Sequence, residues 1–148
     1  MPDKVFIDTN VLVYTRDASE AQKQKQAMAW MSYLWHTRTG RLSFQVIQEY
    51  YVTVTNKLDP GLAPDVARQD VRSLLSWQPV HVDGRVIEGA WHLQDHFQLS
   101  WWDALIVSAA EIADCDYLLT EDLQEGQELG RVKTINPFRL SPGEFQKD

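Results

Sequence analysis

The sequence is poor in cysteine and has no long apolar run. Cys115 is the one cysteine among 148 residues, so neither an intramolecular disulfide nor a multi-cysteine metal site can form. No apolar run approaches the roughly 20 residues that a membrane-spanning helix needs. Residues 1–4 lack the basic stretch and apolar core of a secretion signal. These absences exclude a disulfide-stapled scaffold and predict a cytoplasmic protein without a membrane segment.

Basic charge is also scarce. The chain has 14 Lys and Arg against 21 Asp and Glu, which gives a net charge of −7 at pH 7. Nucleic-acid-binding proteins usually carry a basic surface, so this deficit argues at first against a nucleic-acid partner. The objection weakens if several acids bind divalent cations, because a bound cation reverses the local field. The net charge therefore decides little about partners.

Short apolar segments alternate with helical segments along the chain. Strands are predicted at residues 4–7, 42–44, 79–82, 117–119 and 132–135, and helices at residues 11–14, 19–39, 46–57, 64–76, 83–97 and 101–113. Asn10, Asp83 and Ser100 are the predicted caps of the first, fifth and sixth of these helices. Because parallel strands need helical crossovers, this order predicts an α/β sandwich with a mostly parallel central sheet flanked by helices. We expect a single domain over residues 1–148, with a core at about 4–137 and an extended tail at 138–148.

Four acidic residues lie where this topology has its functional edge. Ligand sites in open α/β sheets lie beyond the carboxyl ends of the strands. Asp8 ends the first strand, and Asp122 follows the strand at residues 117–119. Asp103 lies in the first turn of a predicted helix, and Glu49 projects from the helix after the second strand. The topology therefore allows these four carboxylates to converge.

Converging carboxylates imply a cation. Two like charges about 4 Å apart repel by about 4 kcal/mol at an effective dielectric constant near 20, so such a cluster must bind a cation or take up protons. Oxygen ligands without cysteine favour a hard ion, Mg²⁺ or Mn²⁺. Such an ion can activate water for in-line attack on a phosphodiester. The acids therefore predict metal-assisted phosphoester hydrolysis.

Four motifs, in their order and spacing, resemble the PIN domain family and, within it, the VapC-type toxin ribonucleases. They are Phe-Ile-Asp-Thr-Asn-Val-Leu at 6–12, Gln-Glu-Tyr-Tyr at 48–51, Trp-Asp-Ala-Leu-Ile at 102–106 and Leu-Thr-Glu-Asp at 119–122. The resemblance covers about residues 5–137. It implies a three-layer PIN fold and an Mg²⁺- or Mn²⁺-dependent endoribonuclease. It also implies a homodimer silenced by a cognate antitoxin, with structured RNA such as tRNA as the substrate class.

The same resemblance assigns roles to individual residues. The four acids would form the catalytic cluster, with Asp8 and Asp103 as the principal metal ligands and the other two holding a metal or its activating water. Asn10 and Thr120 would orient those carboxylates. Gln45 stands where many relatives carry a small hydroxyl residue, so we expect the contact with substrate to differ there.

Other interpretations of the same residues stay open. A haloacid-dehalogenase-like phosphatase or a receiver domain also places an aspartate at a strand end. The phosphatase needs a second acid two residues after its nucleophile, where this chain has Asn10, and the receiver needs an acidic pair in the first strand-to-helix turn, which this chain lacks. A third possibility is a PIN-like RNA-binding module without activity. Taken singly, each acid could also be a helix cap or a solvated residue.

Aromatic and acidic residues next to the four acids allow two further interpretations. Trp101 and Trp102 directly precede Asp103 and could stack on unpaired bases. Residues at the start of a buried helix are more often core, and Trp101 is the one to which we assign the possible RNA contact. Glu121, beside Asp122, is interpreted as a turn or surface residue.

Overall fold

A five-stranded sheet forms the centre of the protein, as seen in a computed structural model that describes residues 3–146. The strands are Val5–Ile7 (β1), Gly40–Arg41 (β2), Tyr117–Leu119 (β3), Glu128–Leu129 (β4) and Val132–Ile135 (β5). Their spatial order is β2-β1-β3-β5-β4. Every neighbouring pair is parallel except β4 and β5, which are antiparallel. The predicted mostly parallel sheet is confirmed.

Helices connect the strands and flank the sheet. They are Thr9–Tyr14 (α1), Ala21–Thr37 (α2), Phe44–Val52 (α3), Pro64–Leu74 (α4), Gly84–His96 (α5), Trp101–Ile112 (α6) and Pro142–Gln146 (α7). A π-helical turn, Thr53–Lys57, continues α3, and a 3₁₀ turn, Leu75–Trp77, continues α4. Within residues 3–146, no helix is long and apolar enough to cross a membrane.

Burial explains why the central elements form where they do. All three side chains of β1 are fully buried, as expected for a strand with neighbours on both sides and helices over both faces. Helix α6 is buried from Ala104 to Ala110 and packs against α5, β3 and β5. An apolar surface all round is typical of a helix sandwiched between other elements.

The predicted helix starts lie within two residues of the observed ones. Asp83 and Ser100 cap α5 and α6 through their side chains, as the sequence predicts. The prediction that Asn10 caps the first helix is wrong, because the helix begins at Thr9 and Asp8 accepts its first backbone N–H. The strand-end acid is therefore also the helix cap.

The edge of the sheet beyond β1 is shorter than predicted. The strands predicted at residues 42–44 and 79–82 are reduced to one isolated parallel bridge between Ser43 and Val80. The regular pairing with β1 lies earlier, at Gly40 and Arg41. Gly40 packs directly under the Trp77 ring, where a β-carbon would collide with the indole. Close packing, rather than apolar periodicity, sets the position of this strand.

The prediction of an extended tail at residues 138–148 is wrong for residues 142–146, which form α7. Phe145 returns to the body of the protein, and its ring lies 5.1–6.1 Å, between centroids, from the rings of Trp30, Tyr33 and Tyr117. Burial of this aromatic side chain outweighs the turn tendency of the proline and glycine around it. Residues 147–148 lie outside the described residues.

Removal of the Phe145 ring tests how much α7 contributes to stability. We expect Phe145→Ala to lower the free energy of unfolding by about 2 kcal/mol, because three ring contacts and part of an aromatic burial are lost. Urea unfolding followed by circular dichroism measures the change. Gln146→Ala, an exposed neighbour in the same helix, should leave the unfolding midpoint unchanged. Equal midpoints for both variants and the wild type would contradict the packing role of α7.

Candidate active site

All four predicted acids line one cleft of about 370 Å³ at the carboxyl ends of β1 and β3. Asp8 comes from the end of β1, Glu49 from α3, Asp103 from the first turn of α6, and Asp122 from the loop after β3. Four elements far apart in the chain thus meet at one edge of the sheet. This is the edge at which parallel α/β folds place their ligand sites.

Asp8 is the most deeply buried of the four acids, with 7% of its surface exposed. Its Oδ1 accepts a hydrogen bond from the Thr9 backbone N–H at 2.7 Å, and its Oδ2 accepts one from Thr120 Oγ1 at 2.8 Å. Burial raises the pKa of Asp8 to about 6, the charges of Asp122 and Asp103 add to the increase, and the two hydrogen bonds oppose it. At pH 7 a negative charge is therefore held largely out of water.

Thr120 and Asn10 lie between the carboxylates. Besides its bond to Asp8, Thr120 Oγ1 accepts the backbone N–H of Asp122 at 3.2 Å, so one hydroxyl links both acids. Burial also raises the pKa of Asp122, and the charges of Asp103 and Glu121 act in the same direction, whereas Asn10 lowers it. The Asn10 amide is buried, and neither its nitrogen nor its oxygen makes a hydrogen bond of normal geometry within residues 3–146.

Glu49 occupies the solvent side of the cleft. Its Oε1 accepts hydrogen bonds from Thr9 Oγ1 at 3.0 Å and from Gln45 Nε2 at 3.4 Å. The side chain is exposed, so its charge is screened by water more effectively than that of Asp8. Gln45, which the resemblance singles out as a departure, thus holds Glu49 from the preceding turn of the same helix.

The donor set of the cleft fits a hard divalent cation. The acids supply only oxygen ligands, and none of the described residues that line the cleft is Lys, Arg or His. A buried charge without a counter-ion and a buried amide without a hydrogen bond of normal geometry are both relieved by a cation and its bound water. Across residues 3–146, however, no three Asp, Glu, His or Cys side chains already form a ligand set for one ion. Mg²⁺ commonly binds through one or two carboxylates and keeps several waters, so a pair of these acids suffices.

Glu121 is more firmly held than its interpretation as a turn or surface residue implies. Its Oε1 accepts a hydrogen bond from the Tyr14 hydroxyl at 2.5 Å, and its Oε2 pairs with Lys23 Nζ at 2.8 Å. These contacts tie α1 and α2 to the loop that carries Asp122. The partners lie about a hundred positions away along the chain, so no local pattern in the sequence identifies them.

The two tryptophans before Asp103 have different surroundings. Trp101 packs against the core and stacks on the Trp91 ring with a centroid distance of 6.5 Å. Trp102 lines the cleft and is 63% exposed. The side chain available to a ligand in the cleft is therefore that of Trp102, whereas the RNA contact is predicted at Trp101. Periodicity did not distinguish these neighbours, because the deciding factor is the rotation of α6 about its own axis.

A larger cleft, of about 580 Å³, lies between α2 and α4 but has no unpaired acidic side chain in its described lining. It is lined mainly by apolar side chains, and its charged residues, Arg16 and Asp70, form an ion pair at 2.7 Å. Asp70 also accepts a hydrogen bond from the Tyr50 hydroxyl at 2.6 Å. These groups satisfy one another, so the described lining of this larger cleft leaves no charged side chain without a partner.

The family model of the PIN domain matches residues 5–125 of the sequence. The chain belongs to the PIN domain family. The match includes the four predicted site acids, Asp8, Glu49, Asp103 and Asp122, and the mostly parallel sheet flanked by helices is the PIN fold. A search among curated proteins gave no match.

Three solved structures share the fold of this PIN domain at low sequence identity. A toxin–antitoxin complex from Klebsiella pneumoniae is 16% identical, with a TM-score of 0.58 and coverage of 90% of this chain and 98% of that one. VapC20 from Mycobacterium tuberculosis, a sarcin-ricin-loop-cleaving toxin, is 16% identical, with a TM-score of 0.57 and coverage of 80% and 90%. VapBC2 from Rickettsia felis, bound to a promoter DNA fragment, is 13% identical, with a TM-score of 0.58 and coverage of 89% and 98%.

The raised pKa of Asp8 predicts a pH-dependent difference in stability between the metal-free PIN domain and its Asp8→Asn variant. The pKa is about 6 in the folded state against an ordinary value of 3.8, so the folded state binds more protons between these pH values. The stabilisation from Asp8 is then complete below about pH 4 and is lost as the pH rises through 6. Two pKa units correspond to at most about 3 kcal/mol.

Urea unfolding in EDTA between pH 4 and 7.5 measures this difference. Relative to the wild type, Asp8→Asn should become more stable as the pH rises through this range, because asparagine does not titrate. Asp114→Asn serves as the matched control, since Asp114 is exposed and lies just before β3, at the opposite end of that strand from Asp122. Wild-type and Asp8→Asn curves that stay parallel would contradict the assigned pKa.

Proposed function

We propose that this PIN domain is a metal-dependent endoribonuclease that acts as the toxin of a type II toxin–antitoxin pair. The observation that carries the proposal is the buried carboxylate of Asp8, which shares one cleft and one electrostatic environment with Asp103 and Asp122. A site of this kind suits a divalent cation and a phosphate substrate. Membership of the PIN family supports ribonuclease chemistry.

We propose a separate role for each residue of the site. Asp8 and Asp103 would hold Mg²⁺ or Mn²⁺, and Glu49 and Asp122 would complete the acidic cluster. When bound, the ion supplies the positive charge that activates water and stabilises the charge developing on the phosphate. Thr120 keeps Asp8 and the Asp122 backbone in register through its single hydroxyl.

Glu49 is the candidate acceptor for the proton of the attacking water. Its Oε1 is engaged by Thr9 and Gln45, whereas no hydrogen bond to its Oε2 is found within residues 3–146. An exposed carboxylate oxygen at the rim of the cleft is in contact with solvent and can pass a proton to it. Asn10, buried beside Asp122, would orient that carboxylate or a water bound to the ion.

The structural neighbours guide the proposal for partners. Two of them are solved as toxin–antitoxin assemblies, one with promoter DNA, and a third is a toxin that cleaves the sarcin-ricin loop. We infer a cognate antitoxin protein, a homodimeric toxin and a structured RNA substrate, with tRNA among the candidates. The cytoplasm, where such an RNA is found, is the corresponding location.

RNA cleavage by an Asp8 variant tests the assigned chemistry. With Mg²⁺ and either total RNA or tRNA, Asp8→Asn should cleave at least about 100-fold more slowly than the wild type, because the ion loses a principal ligand. Gel analysis of initial rates measures the loss. Asp114→Asn should cleave at the wild-type rate. Undiminished cleavage by Asp8→Asn would refute this mechanism.

Thermal unfolding tests the ion separately from activity. Mn²⁺ or Mg²⁺ at 100 times its dissociation constant should raise the Tm of the wild type by about 5–10 °C, because it binds only the folded state and relieves the repulsion among the acids. Asp8→Asn and Asp103→Asn should lose most of this increase in calorimetry, and Asp114→Asn should retain it. The same increase in all four proteins would place the ion elsewhere.

A further inference from the structure

We propose that Trp102 is a stacking platform for an unpaired RNA base beside the acidic cleft. This inference rests on the proposed ribonuclease function and narrows its substrate to RNA with unpaired nucleotides next to the cleaved phosphodiester. It assigns to one side chain a binding role that the four acids cannot fill.

The exposure of Trp102 is the first observation. At 63%, it is the most exposed large hydrophobic residue in the described part of the chain. Tryptophan offers one of the largest apolar surfaces of any side chain, and leaving it in water forgoes the stabilisation that burial would give. Its neighbour Trp101 does pack against the core. An indole left in solvent at the mouth of a cleft is free to bind a ligand there.

The first turn of α6 holds Trp102 beside the acidic residues of the cleft. Ser100 caps α6 by accepting the Asp103 backbone N–H at 3.1 Å, which fixes the first turn of the helix. Trp102 and Asp103 are consecutive in that turn and line the same cleft. A base stacked on the indole would therefore lie beside a phosphate bound at the acidic cluster.

The charge of the cleft decides which part of an RNA can bind there. Its described lining contains five acids, Asp8, Asp17, Glu49, Asp103 and Asp122, and no basic side chain. Phosphates are repelled by such a surface except where a cation intervenes. The faces of the bases are uncharged and stack on aromatic rings irrespective of sequence. Apart from a phosphate held through a cation, we therefore expect binding energy near the cleft to come from base stacking.

Base pairing determines whether those faces are available. In an RNA helix the bases are stacked on one another, and a protein side chain reaches their faces only in loops, bulges, ends and single strands. A stacking platform beside the cleft thus selects unpaired nucleotides. Structured RNAs remain substrates through their loops.

Steady-state kinetics with a fluorophore-quencher-labelled single-stranded RNA of 12 nucleotides, in Mg²⁺, tests the platform. Trp102→Ala should raise KM about tenfold, the loss expected for one stacked base, and leave kcat within about twofold, because the stacked base does not take part in the reaction. Trp102→Phe should restore KM to within about threefold. Wild-type protein should cleave the same strand in a fully paired duplex at least tenfold more slowly.

Trp91→Ala is the matched control, because Trp91 is similarly exposed, at 55%, and does not line the cleft. It should leave KM unchanged. Three results would overturn the proposal: an unchanged KM for Trp102→Ala, equal effects of Trp102→Ala and Trp91→Ala, or a halved mass of Trp102→Ala in sedimentation. The last result would assign Trp102 to contacts between copies of the chain.

Binding to inactive protein separates this inference from the proposed function. Fluorescence anisotropy of the labelled 12-mer should show about tenfold weaker binding to Asp8→Asn/Trp102→Ala than to Asp8→Asn. If the wild type cleaves no RNA but this difference is present, the hydrolytic function fails and the platform stands. If cleavage depends on Asp8 and neither KM nor binding depends on Trp102, the platform fails alone.

Discussion

The buried negative charge of Asp8 determines how the cleft of this protein is built. The Asp8 carboxylate ends the central strand, caps the helix that follows and lies largely out of water, without a basic side chain among the described residues around it. Hydrogen bonds from Thr9 and Thr120 compensate only part of the desolvation, so the pKa stays raised. A buried charge of this kind is kept because the rest of the fold supplies the stability that it costs, and because a bound cation would balance it.

The apolar strands and the acids at their ends could be predicted from the sequence. An uninterrupted buried run followed by an acid is a local pattern, and parallel topology then brings distant strand ends to the same edge. Asp8 and Asp122 meet for this reason, and Asp103 joins them from the first turn of α6, which lies at the same edge. The metal itself and the role of each acid remain predictions, because they depend on distances of a few tenths of an ångström that spacing does not determine.

The features that escaped prediction have a common physical origin. Helix α7 forms because Phe145 packs against three aromatic rings. Glu121 is held by side chains from α1 and α2, which are distant in the sequence. The exposure of Trp102 rather than Trp101 follows from the rotation of α6. Each is decided by a contact between side chains far apart in the chain. Local propensity carries no information about such contacts.

The ion pair between Lys23 and Glu121 means that the geometry of the cleft depends on a residue that does not line it. Lys23 belongs to the first turn of α2, a helix of 17 residues whose second half carries Trp30 and Tyr33 against Phe145 of α7. The loop that carries Asp122 is thus bound to the same helix that packs against α7. Docking of α2 and placement of the loop that carries Asp122 are consequently coupled, whereas Asp8 takes its hydrogen bonds from Thr9 and Thr120, which lie outside α2.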